Sequence, residues 1–429
     1  MEFWNSMFKQ LGLVFVFVLT AIGVSAQTAN SPLTQIGIGD RVQLSLPSQF
    51  GMGSVGISNG DIRFLNTINP ALLIHNEVYT YTAGAFGSSA TTSDRTNTQR
   101  NSTGSFSHFA MSFPMKPGKW TTAISLRPYS TVNYKYIVEK DVIGSSGTTY
   151  LSEINGSGGI NQIALSNGIK ILPELSIGFN ASFLFGSILK EQTAGELSDT
   201  TVANFYSPAI VKKESFSGAN FGAGAAYTYK IKEKLNLNFG VTYDLQADII
   251  TKQLKSWETR VRATPISSDS LNNGVVKGTT RLPSALGVGI SLVNTLKWTV
   301  AADMKIQDWS KFRNIEGTNS GMGQSLRIGV GGEITPDAGD ISSFLNRVTY
   351  RLGFGYEDMA YQLNDNSVKD FGINFGFSLP VSTISSLDLG FKFGTRGSIG
   401  EIGHKEEYFK FQAGLTFNDR LWFIKRKFD

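Results

Sequence analysis

Apolar and polar residues alternate with a period of two along most of the chain. Between Phe409 and Phe417 every second residue is apolar, and the residues between them are Lys, Gln, Gly or Thr. The same pattern recurs in four further stretches, at 235–245, 348–356, 371–379 and 387–393. Because side chains on a strand point to opposite faces in turn, each stretch predicts a strand with one apolar face and one polar or glycine-bearing face.

This alternation fits either a soluble β-sandwich or a transmembrane barrel. A sandwich buries its apolar faces between two sheets, whereas a membrane barrel turns them to lipid and keeps the polar faces around its lumen. The stretches run for about 10–12 residues, longer than ordinary strands and suited to a tilted bilayer crossing. Aromatic residues stand at strand ends, where a membrane-interface girdle places them: Trp120, Tyr227, Tyr229, Trp298 and Tyr350. These features favour the barrel.

Fourteen alternating stretches can be counted, an even number, as a closed antiparallel barrel of one chain usually requires. They lie near 77–87, 104–114, 120–138, 159–171, 175–190, 216–230, 235–255, 276–292, 297–309, 323–334, 347–358, 367–379, 386–398 and 406–417. The predicted fold class is therefore all-β: a transmembrane antiparallel β-barrel of about fourteen strands over residues 77–417.

The connections between these strands alternate in length. Short ones are predicted at 115–119, 172–174, 231–234, 293–296 and 380–385. Longer ones, rich in Ser, Thr, Gly and Asn, are predicted at 88–103, 139–158, 191–215, 256–275 and 310–322. Short periplasmic turns and long external loops are typical of the outer membrane, so both termini are predicted to be periplasmic. The connection 335–346 is the exception, a longer turn with a short helix predicted at 340–345.

The N-terminal 26 residues have the pattern of a targeting segment. Lys9 precedes an apolar run at 11–24, and Val24-Ser25-Ala26 is a small-x-small cleavage site, so residues 1–26 are predicted to be a cleaved signal peptide. The alternative is an uncleaved anchor helix, but a helix needs about 20 apolar residues to span a bilayer.

Two further segments lie outside the strand pattern. Residues 27–76 are rich in Gly, Asn and Ser and too weakly apolar to fold alone. A barrel of this size has a lumen wide enough to need filling, so this segment is predicted to be a plug that enters from the periplasmic side. Residues 418–429 continue past the last strand as a basic periplasmic tail.

Composition excludes several classes of protein. The chain has 429 residues, of which 12% are aromatic and only 17% charged, whereas disordered chains lack aromatics and are rich in charge. It has no Cys and three His, which leaves no thiol chemistry and little for metal or acid–base chemistry. The net charge of +5 is spread along the chain, so nucleic-acid binding is not indicated. No cofactor, metal or catalytic residue is predicted.

Three other patterns have simple structural explanations. Gly51 to Gly56 matches G-x-G-x-x-G but lacks the flanking strand and helix of a dinucleotide site, so glycine turns inside the plug are predicted. His108 and His404 are predicted to be near neighbours at the external rim, yet no motif supplies the partners of a catalytic triad. Charges of both signs on the lumen faces predict internal ion pairs that hold barrel and plug together, rather than the one-sign ring of an ion pore: Asp244, Asp303, Lys305, Arg327, Glu333, Arg351, Glu357, Asp388, Lys392, Arg396 and Lys410.

Short motifs accompany the barrel pattern. Asn69-Pro70-Ala71 lies in the predicted plug shortly before the first strand, and Arg281-Leu282-Pro283-Ser284 and Ser157-Gly158-Gly159 introduce Gly-bearing strands. With these motifs the chain resembles the FadL-type long-chain fatty-acid and hydrocarbon transporters, in a Bacteroidota-type form. The resemblance implies that Asn69, Pro70 and Ala71 are the hatch motif of an outer-membrane channel. It also implies passive, ligand-gated uptake of hydrophobic, fatty-acid-like molecules that leave sideways into the bilayer.

Pro128 lies within the third predicted strand, on one face with Leu126 and Val132. Proline has no N–H to give to a sheet, so a local break in pairing is predicted here. FadL-type barrels have an inward kink in this strand that opens a lateral exit, so the resemblance implies that Pro128 marks a lateral gate. An innocuous bulge near the external rim is the alternative.

Two other functions remain open at this point. The chain is alternatively a non-catalytic barrel subunit or adaptor of a larger outer-membrane secretion or assembly complex, or else an enzyme at the external rim. The expected partners are outer-membrane lipid, a hydrophobic small-molecule ligand, and other outer-membrane or periplasmic proteins. The sequence does not identify the ligand.

Overall fold

A computed structural model describes most of the chain between Ser31 and Asp419. The described ranges are 31–43, 45–141, 149–196, 206–261, 264–271, 274–295, 297–363, 366–382 and 385–419. The predicted signal peptide and all but the first two residues of the predicted tail lie outside them, so both stay predictions. Within the described ranges, no helix is long and apolar enough to cross a bilayer.

Strands make up most of the described chain. Their bounds are β1 (Asp40–Arg41), β2 (Tyr79–Ser93), β3 (Thr98–Lys116), β4 (Trp120–Asp141), β5 (Thr149–Lys170), β6 (Leu175–Glu196), β7 (Tyr206–Lys232), β8 (Leu235–Asp244), β9 (Ala247–Val261), β10 (Thr264–Ser270), β11 (Val276–Leu282), β12 (Ala285–Asn294), β13 (Trp298–Asp308), β14 (Gln324–Ile334), β15 (Thr349–Leu363), β16 (Asn366–Pro380), β17 (Ser386–Ser398) and β18 (His404–Asp419). Short helical turns lie at Pro32–Gln35, Pro47–Phe50, Pro70–His75, Trp309–Lys311, Phe344–Arg347 and Ile399–Ile402.

The sheet closes into a barrel. Neighbouring strands pair antiparallel from β2 onward, and β18 pairs with β2. β8 and β9 are two parts of one barrel strand, and β10 to β12 are three parts of the next, since β11 pairs with β9 and β12 with β8. In the part of the chain that the structure describes, the barrel therefore has fourteen strands, each overlapping one predicted stretch. The predicted fold class is confirmed.

The apolar positions of the barrel strands point outwards. On β6, Ile177, Phe179 and Phe183 are 44%, 50% and 50% exposed, while Ser176 and Ser182 on the other face are buried. A sandwich would bury the apolar positions instead. An exposed apolar belt around a polar, filled lumen is the arrangement of a transmembrane barrel. The fold is therefore the transmembrane barrel and not the soluble sandwich.

The two ends of the barrel differ. One end, here called the turn end, carries short connections such as 117–119 and 233–234, and the first and last barrel strands begin and end there, at Tyr79 and Asp419. The predicted girdle aromatics also lie near this end, with Trp120 and Trp298 as the first residues of their strands. We call the opposite end the loop end.

The predicted long external loops are mostly strand. β2 and β3 are separated by residues 94–97 instead of the predicted 88–103, and β6 and β7 extend to Glu196 and back from Tyr206. The prediction was wrong because it read Ser-, Thr-, Gly- and Asn-rich composition as loop. Outside a bilayer both faces of a strand meet water, so backbone pairing continues without an alternation of apolar residues.

The plug runs through the lumen from the loop end to the turn end. At its start, Ser31 Oγ contacts Glu406, near the loop end of β18. At its end, Thr121 Oγ1 donates a hydrogen bond of 3.2 Å to the carbonyl of Asn76, beside the turn between β3 and β4.

The direction of this path bears on one prediction about the termini. Ser31 is the first described residue of the plug and lies at the loop end. The predictions that the plug enters from the periplasmic side and that both termini are periplasmic stay predictions.

Glycines on the lumen faces of the strands form a flat wall for the plug. The plug turn 51–54 lies against β14 and β15, where a Cβ at Gly353 would stand 2.1 Å from the backbone nitrogen of Gly53. A Cβ at Gly331 would stand 2.2 Å from the carbonyl oxygen of Met52. The G-x-G-x-x-G match is thus a set of turns, as predicted, and its glycines and those of the wall allow backbone to pack on backbone.

We expect Gly353→Ala to destabilise the folded barrel by about 1–3 kcal/mol, because the added methyl group forces the plug off the wall. Gly104→Ala is the matched control, since the nearest atom to its Cβ would be 3.5 Å away. The measurement is the temperature at which the compact band of the barrel converts to the unfolded band in a gel. Equal midpoints for the two variants would mean that this contact carries no stability.

Candidate functional site

Two neighbouring barrel strands separate halfway up the wall. β3 and β4 pair from the turn end only as far as Phe109 and Leu126. Beyond this point β3 continues along β2 to Thr98, and β4 continues along β5 to Asp141. Over these two strands, both described throughout, no further pair joins them. The separation begins about 15 Å above the turn end, close to the middle of the bilayer.

A β-bulge in β4 lies just beyond the separation. Pro128 and Ser130 pair with successive residues of β5, so Tyr129 between them has no partner there. The extra residue reverses the alternation, so Leu126 points outwards while Val132 is buried on the lumen side. The predicted break at Pro128 is present, but the prediction that these side chains share one face is wrong. Since proline has no N–H, β4 carries one fewer unpaired donor where it loses its neighbour.

A short strand of the plug takes the place of β3 on the free edge of β4. β1 pairs antiparallel with this edge, with Asp40 opposite Thr131 and Arg41 opposite Ser130. Flanking bonds run from Val42 N to Tyr129 O at 3.1 Å, from Ser31 N to Asn133 O at 3.2 Å, and from Asn133 N to Thr34 Oγ1 at 3.2 Å. Each unpaired backbone group in lipid costs several kcal/mol. The plug therefore closes the separation by supplying the hydrogen bonds that β3 does not.

Two plug residues fit β1 to this edge. Gly39 has a φ of +91°, and a Cβ there would stand 2.4 Å from the carbonyl oxygen of Thr131. The guanidinium of Arg41 lies 4.9 Å from the ring centre of Tyr129 and 5.4 Å from that of Trp309. The bulged residue of β4 is therefore a direct contact of the plug strand.

A cavity connects the lumen with the separation. It has about 950 Å³ of empty space, and β1 forms one of its sides. Its lining includes Leu46 and Phe50 of the plug, Phe86, Ser107, His108, Arg127 and Thr131 on β2 to β4, and Lys392, Arg396, Lys410 and Gln412 on β17 and β18, which adjoin β2. A second cavity of about 760 Å³ lies on the other side of β1. The plug strand thus divides the outer lumen into two chambers, one of which reaches β3 and β4.

An ion-pair network on the wall of this cavity also reaches the plug strand. Asp370 lies 2.9 Å from Lys392 Nζ and 3.1 Å from Arg396 Nε, and Tyr408 donates to it at 2.6 Å. The same Arg396 reaches Asp40 of β1 at 3.1 Å. Internal ion pairs of mixed sign are therefore present as predicted. Of these, Arg396–Asp40 joins barrel to plug, whereas Lys305–Asp244 at 2.8 Å and Arg351–Glu333 at 2.9 Å join wall to wall.

Hydrogen bonds from wall side chains to plug backbone add to this attachment. Asp303 accepts from the backbone nitrogens of Gly56 and Ile57 at 2.6 and 2.8 Å. Asn374 Nδ2 donates to the carbonyl of Phe50 at 2.8 Å. Because these bonds use backbone groups of the plug, they hold its path rather than particular side chains.

Asn69-Pro70-Ala71 lies at the turn end of the lumen, far from β1. Asn69 is fully buried and caps the helical turn Pro70–His75, accepting from Ala71 N at 3.0 Å. Its Nδ2 donates to Ile57 O at 2.7 Å within the plug and to Ala225 O at 3.1 Å in the barrel. One side chain therefore joins two parts of the plug to the wall, and the role of the motif as a hatch element stays a prediction.

We expect Asn69→Ala to cost about 1–3 kcal/mol of barrel stability, because it removes a helix cap and leaves buried carbonyls without donors. Asn69→Asp is the informative comparison, since it keeps the capping oxygen and loses both donors. The thermal unfolding midpoints of the two variants in detergent separate the contribution of the helix cap from that of the two donated hydrogen bonds. A wild-type midpoint for Asn69→Ala would contradict a fastening role.

The structure does not bring the predicted rim histidines together. His108 is buried in the lumen, with Nε2 3.0 Å from Thr82 Oγ1, and it lies level with Gly414 of β18. His404 stands ten residues further along that strand, about 33 Å away, and contacts Glu406 at 3.1 Å. The prediction of near neighbours is wrong, because β3 reaches its loop end at Thr98, well beyond His108. The rim-enzyme alternative loses its geometric basis.

Sequence reasoning predicted a break at Pro128 but missed the extent of the separation between β3 and β4 and the plug strand that covers it, although one further signal was visible. Along β3 the outward-facing positions change from odd-numbered residues, such as Phe109, to even-numbered residues, such as Phe106. Ser107, which lies between them, is skipped in the pairing with β2. That irregularity marks a bulge in β3 beside the one in β4. Nothing in residues 40–41 indicates a strand, since two residues have no periodicity.

The family comparison matches nearly the whole chain. The model of a family described as BamG matches residues 7–429. No curated protein is significantly similar to the chain in sequence.

Solved structures with the same fold include a FadL homologue and two toluene transporters. A Pseudomonas aeruginosa FadL homologue superposes with a TM-score of 0.59 at 12% identity, covering 89% of this chain and 99% of that one. The Pseudomonas putida toluene transporter TodX gives a TM-score of 0.56 at 14% identity, covering 88% and 98%. The Ralstonia pickettii toluene transporter TbuX gives a TM-score of 0.54 at 13% identity, also covering 88% and 98%. The predicted resemblance to FadL-type barrels is confirmed for the fold, which is what similarity at this identity supports.

Proposed function

The chain belongs to the BamG family, and for this member we propose passive uptake of a hydrophobic small molecule across the outer membrane. In this proposal the ligand enters at the loop end, occupies the cavity beside β1, and leaves sideways between β3 and β4. Release of β1 from β4 opens that exit. No energy source is needed, because the ligand moves down its gradient from water into lipid.

The observation that carries the proposal is the replacement of β3 by the plug on one edge of β4. A closed barrel has no free edges, whereas this one has an edge covered only by the two residues of β1 and the three flanking hydrogen bonds of Ser31, Thr34 and Val42. A covering of that size can detach while the rest of the barrel stays closed. The cavity on the lumen side of the same edge supports a route that ends there.

The lining of the cavity supports an acid with an apolar tail, the fatty-acid-like ligand that the family resemblance implied. Leu46, Phe50 and Phe86 offer apolar surface, while Arg127 on β4 and Lys410 on β18 offer cations. A pure hydrocarbon has no use for the cations. The toluene transporters among the similar structures are named for a neutral ligand, so oleate and toluene are the probes that divide the two classes.

We propose that the turn end is periplasmic, which places the C-terminal end of the barrel in the periplasm and the loop end outside. Short periplasmic turns are the rule for outer-membrane barrels. The plug then begins near the outer surface and ends near the periplasm, with Asn69-Pro70-Ala71 as the hatch motif at its inner end.

We expect Pro128→Val to lower oleate uptake several-fold without lowering the unfolding temperature, because valine restores a donor and favours regular pairing at the exit. Pro114→Val is the matched control, since Pro114 lies at a bulge in β3 near the turn end. Uptake of radiolabelled oleate is measured in a Gram-negative host without its own fatty-acid channel. Wild-type uptake by folded Pro128→Val would remove the lateral-gate role and leave a plain bulge.

A second candidate function is a barrel subunit or adaptor of a larger outer-membrane complex. A bilayer crossing needs about 9–11 residues per strand, yet β7 has 27, and β4 to β6 have 22 each. The part of this sheet beyond the bilayer displays apolar side chains, with Tyr206 68% and Trp257 44% exposed. Exposed apolar residues on such a sheet favour a protein partner.

Native mass measurement of the detergent-extracted protein separates the two candidates. A lone barrel that carries copurified lipid supports uptake. Stoichiometric partner chains that are lost in a Trp257→Ser variant support the complex.

A further inference from the structure

The connection between β14 and β15 presents apolar side chains at the turn end. It spans residues 335–348 and is longer than the turns beside it. Ile341 is 92% exposed, Leu345 65% and Phe344 47%. The sequence pattern predicted a helix at 340–345, whereas the helical turn is Phe344–Arg347 and the preceding residues form bends.

This connection is held in one shape by its own polar groups. The Asp340 carboxylate accepts from the backbone nitrogens of Ser342 and Ser343 at 2.8 and 3.2 Å and from Asn346 Nδ2 at 2.6 Å. Asp337 N donates to the carbonyl of Asn346 at 2.8 Å. Bonds from the Ser342 hydroxyl, from Asn346 and from the backbone lower the pKa of Asp340 to about 2. The stabilisation from this carboxylate is therefore present above its ordinary pKa and is lost only as the pH falls through about 2.

The apolar residues lie on the lipid side of the barrel rim. Tyr350, an outward-facing residue of β15, donates from its hydroxyl to the carbonyl of Leu345 at 3.1 Å. Its ring packs edge-on against Phe377 of β16, with ring centres 5.9 Å apart. Ile334, the last residue of β14, is 52% exposed on the same rim. Phe344 and Leu345 therefore continue the lipid-facing belt downwards instead of starting a separate surface.

A cation lies at the edge of this apolar group. The guanidinium of Arg347 stands 5.7 Å from the ring centre of Phe344. Apolar residues bordered by an arginine fit the boundary between acyl chains and phosphate headgroups, where the arginine reaches the phosphates.

We propose that residues 335–347 form a membrane foot that inserts into the leaflet at the turn end. Its ligand is the phospholipid surface, with Ile341, Phe344 and Leu345 among the upper acyl chains and Arg347 at the phosphates. A periplasmic protein is the other conceivable occupant, but continuity with the lipid-facing belt favours lipid. In the strand order the foot lies on the far side of the barrel from β3 and β4, so it anchors the wall opposite the separation.

The test uses the absence of cysteine from the chain. Ile341→Cys and Leu345→Cys, each in the full-length protein, are labelled with a nitroxide and reconstituted in vesicles of phosphatidylethanolamine and phosphatidylglycerol. Ala338→Cys, in the same connection but outside the apolar group, is the matched control. Collision rates with oxygen and with a nickel chelate present on both sides of the vesicle report the depth of each label.

We expect labels at positions 341 and 345 to collide several-fold more with oxygen relative to nickel than the label at position 338. Equal ratios at the three positions would overturn the proposal, since the vesicles contain no other protein and lipid is the one available partner. Phe344→Glu in each labelled protein should lower both ratios to that of position 338 while the barrel keeps its wild-type unfolding temperature. Because this readout needs no ligand, its failure is distinguishable from a failure of the uptake proposal.

Discussion

Deletion of residues 27–70 is expected to raise the influx of small hydrophilic solutes by at least an order of magnitude. A barrel of fourteen strands encloses a lumen wider than its wall side chains can fill. In the native chain, plug backbone packs directly on wall glycines such as Gly353. Without the plug that flat glycine wall faces an open water-filled passage. Swelling of vesicles in an arabinose gradient measures the influx.

The deletion is informative only in inserted, folded barrels. The wall keeps its own ion pairs, including Arg351–Glu333 and Lys392–Asp370, and β18 pairs directly with β2. Apart from the edge of β4 that the plug covers, the sheet therefore closes without the plug. Heat-modifiable migration in a gel identifies the folded fraction.

Gly39→Val is a second variant that keeps the whole plug and forces β1 off β4, because position 39 needs a positive φ. Unchanged influx through folded barrels of both variants would contradict a plug that seals the lumen.

Much of the barrel was predictable because membrane strands obey a simple rule. Lipid on one face and a polar lumen on the other force strict alternation, as between Phe409 and Phe417, and the strand count and closure follow. The extensions beyond the bilayer, such as β7 back to Tyr206, were not predictable this way, because water on both faces removes the alternation.

The candidate site was predictable only in part, for a different reason. The break at Pro128 was predictable because it depends on the local chemistry of proline, which has no N–H to give to the sheet. The pairing of Asp40 with Thr131 depends on two segments about ninety residues apart, and neither carries a periodic signal for it. His108 was predicted at the external rim but lies well inside the lumen. The reason is that β3 continues beyond the bilayer to Thr98, which places the rim further out.

Locking β1 to β4 is expected to abolish uptake through the lateral exit. Arg41 and Ser130 lie directly opposite each other in antiparallel register. Because the neighbouring residue Val42 bonds through its backbone to β4, positions 41 and 130 form the closer, non-hydrogen-bonded kind of pair, whose geometry suits a disulfide. The chain has no cysteine of its own, so Arg41→Cys with Ser130→Cys forms a single defined bridge.

The controls separate the bridge from the substitutions. Arg41→Cys alone removes the guanidinium between Tyr129 and Trp309, and we expect it to loosen β1 and leave uptake equal to or above wild type. Ser130→Cys alone is nearly isosteric and should behave as wild type. Neither single variant can form the bridge, so uptake by each should be the same under oxidising and reducing conditions.

The direct measurement is oleate uptake by the double-cysteine barrel before and after reduction, on one preparation. Release of β1 as the opening step predicts uptake near background when the bridge is oxidised and recovery to the level of the single variants when it is reduced. Equal uptake in the two states, with the bridge verified by mass, would contradict exit between β3 and β4.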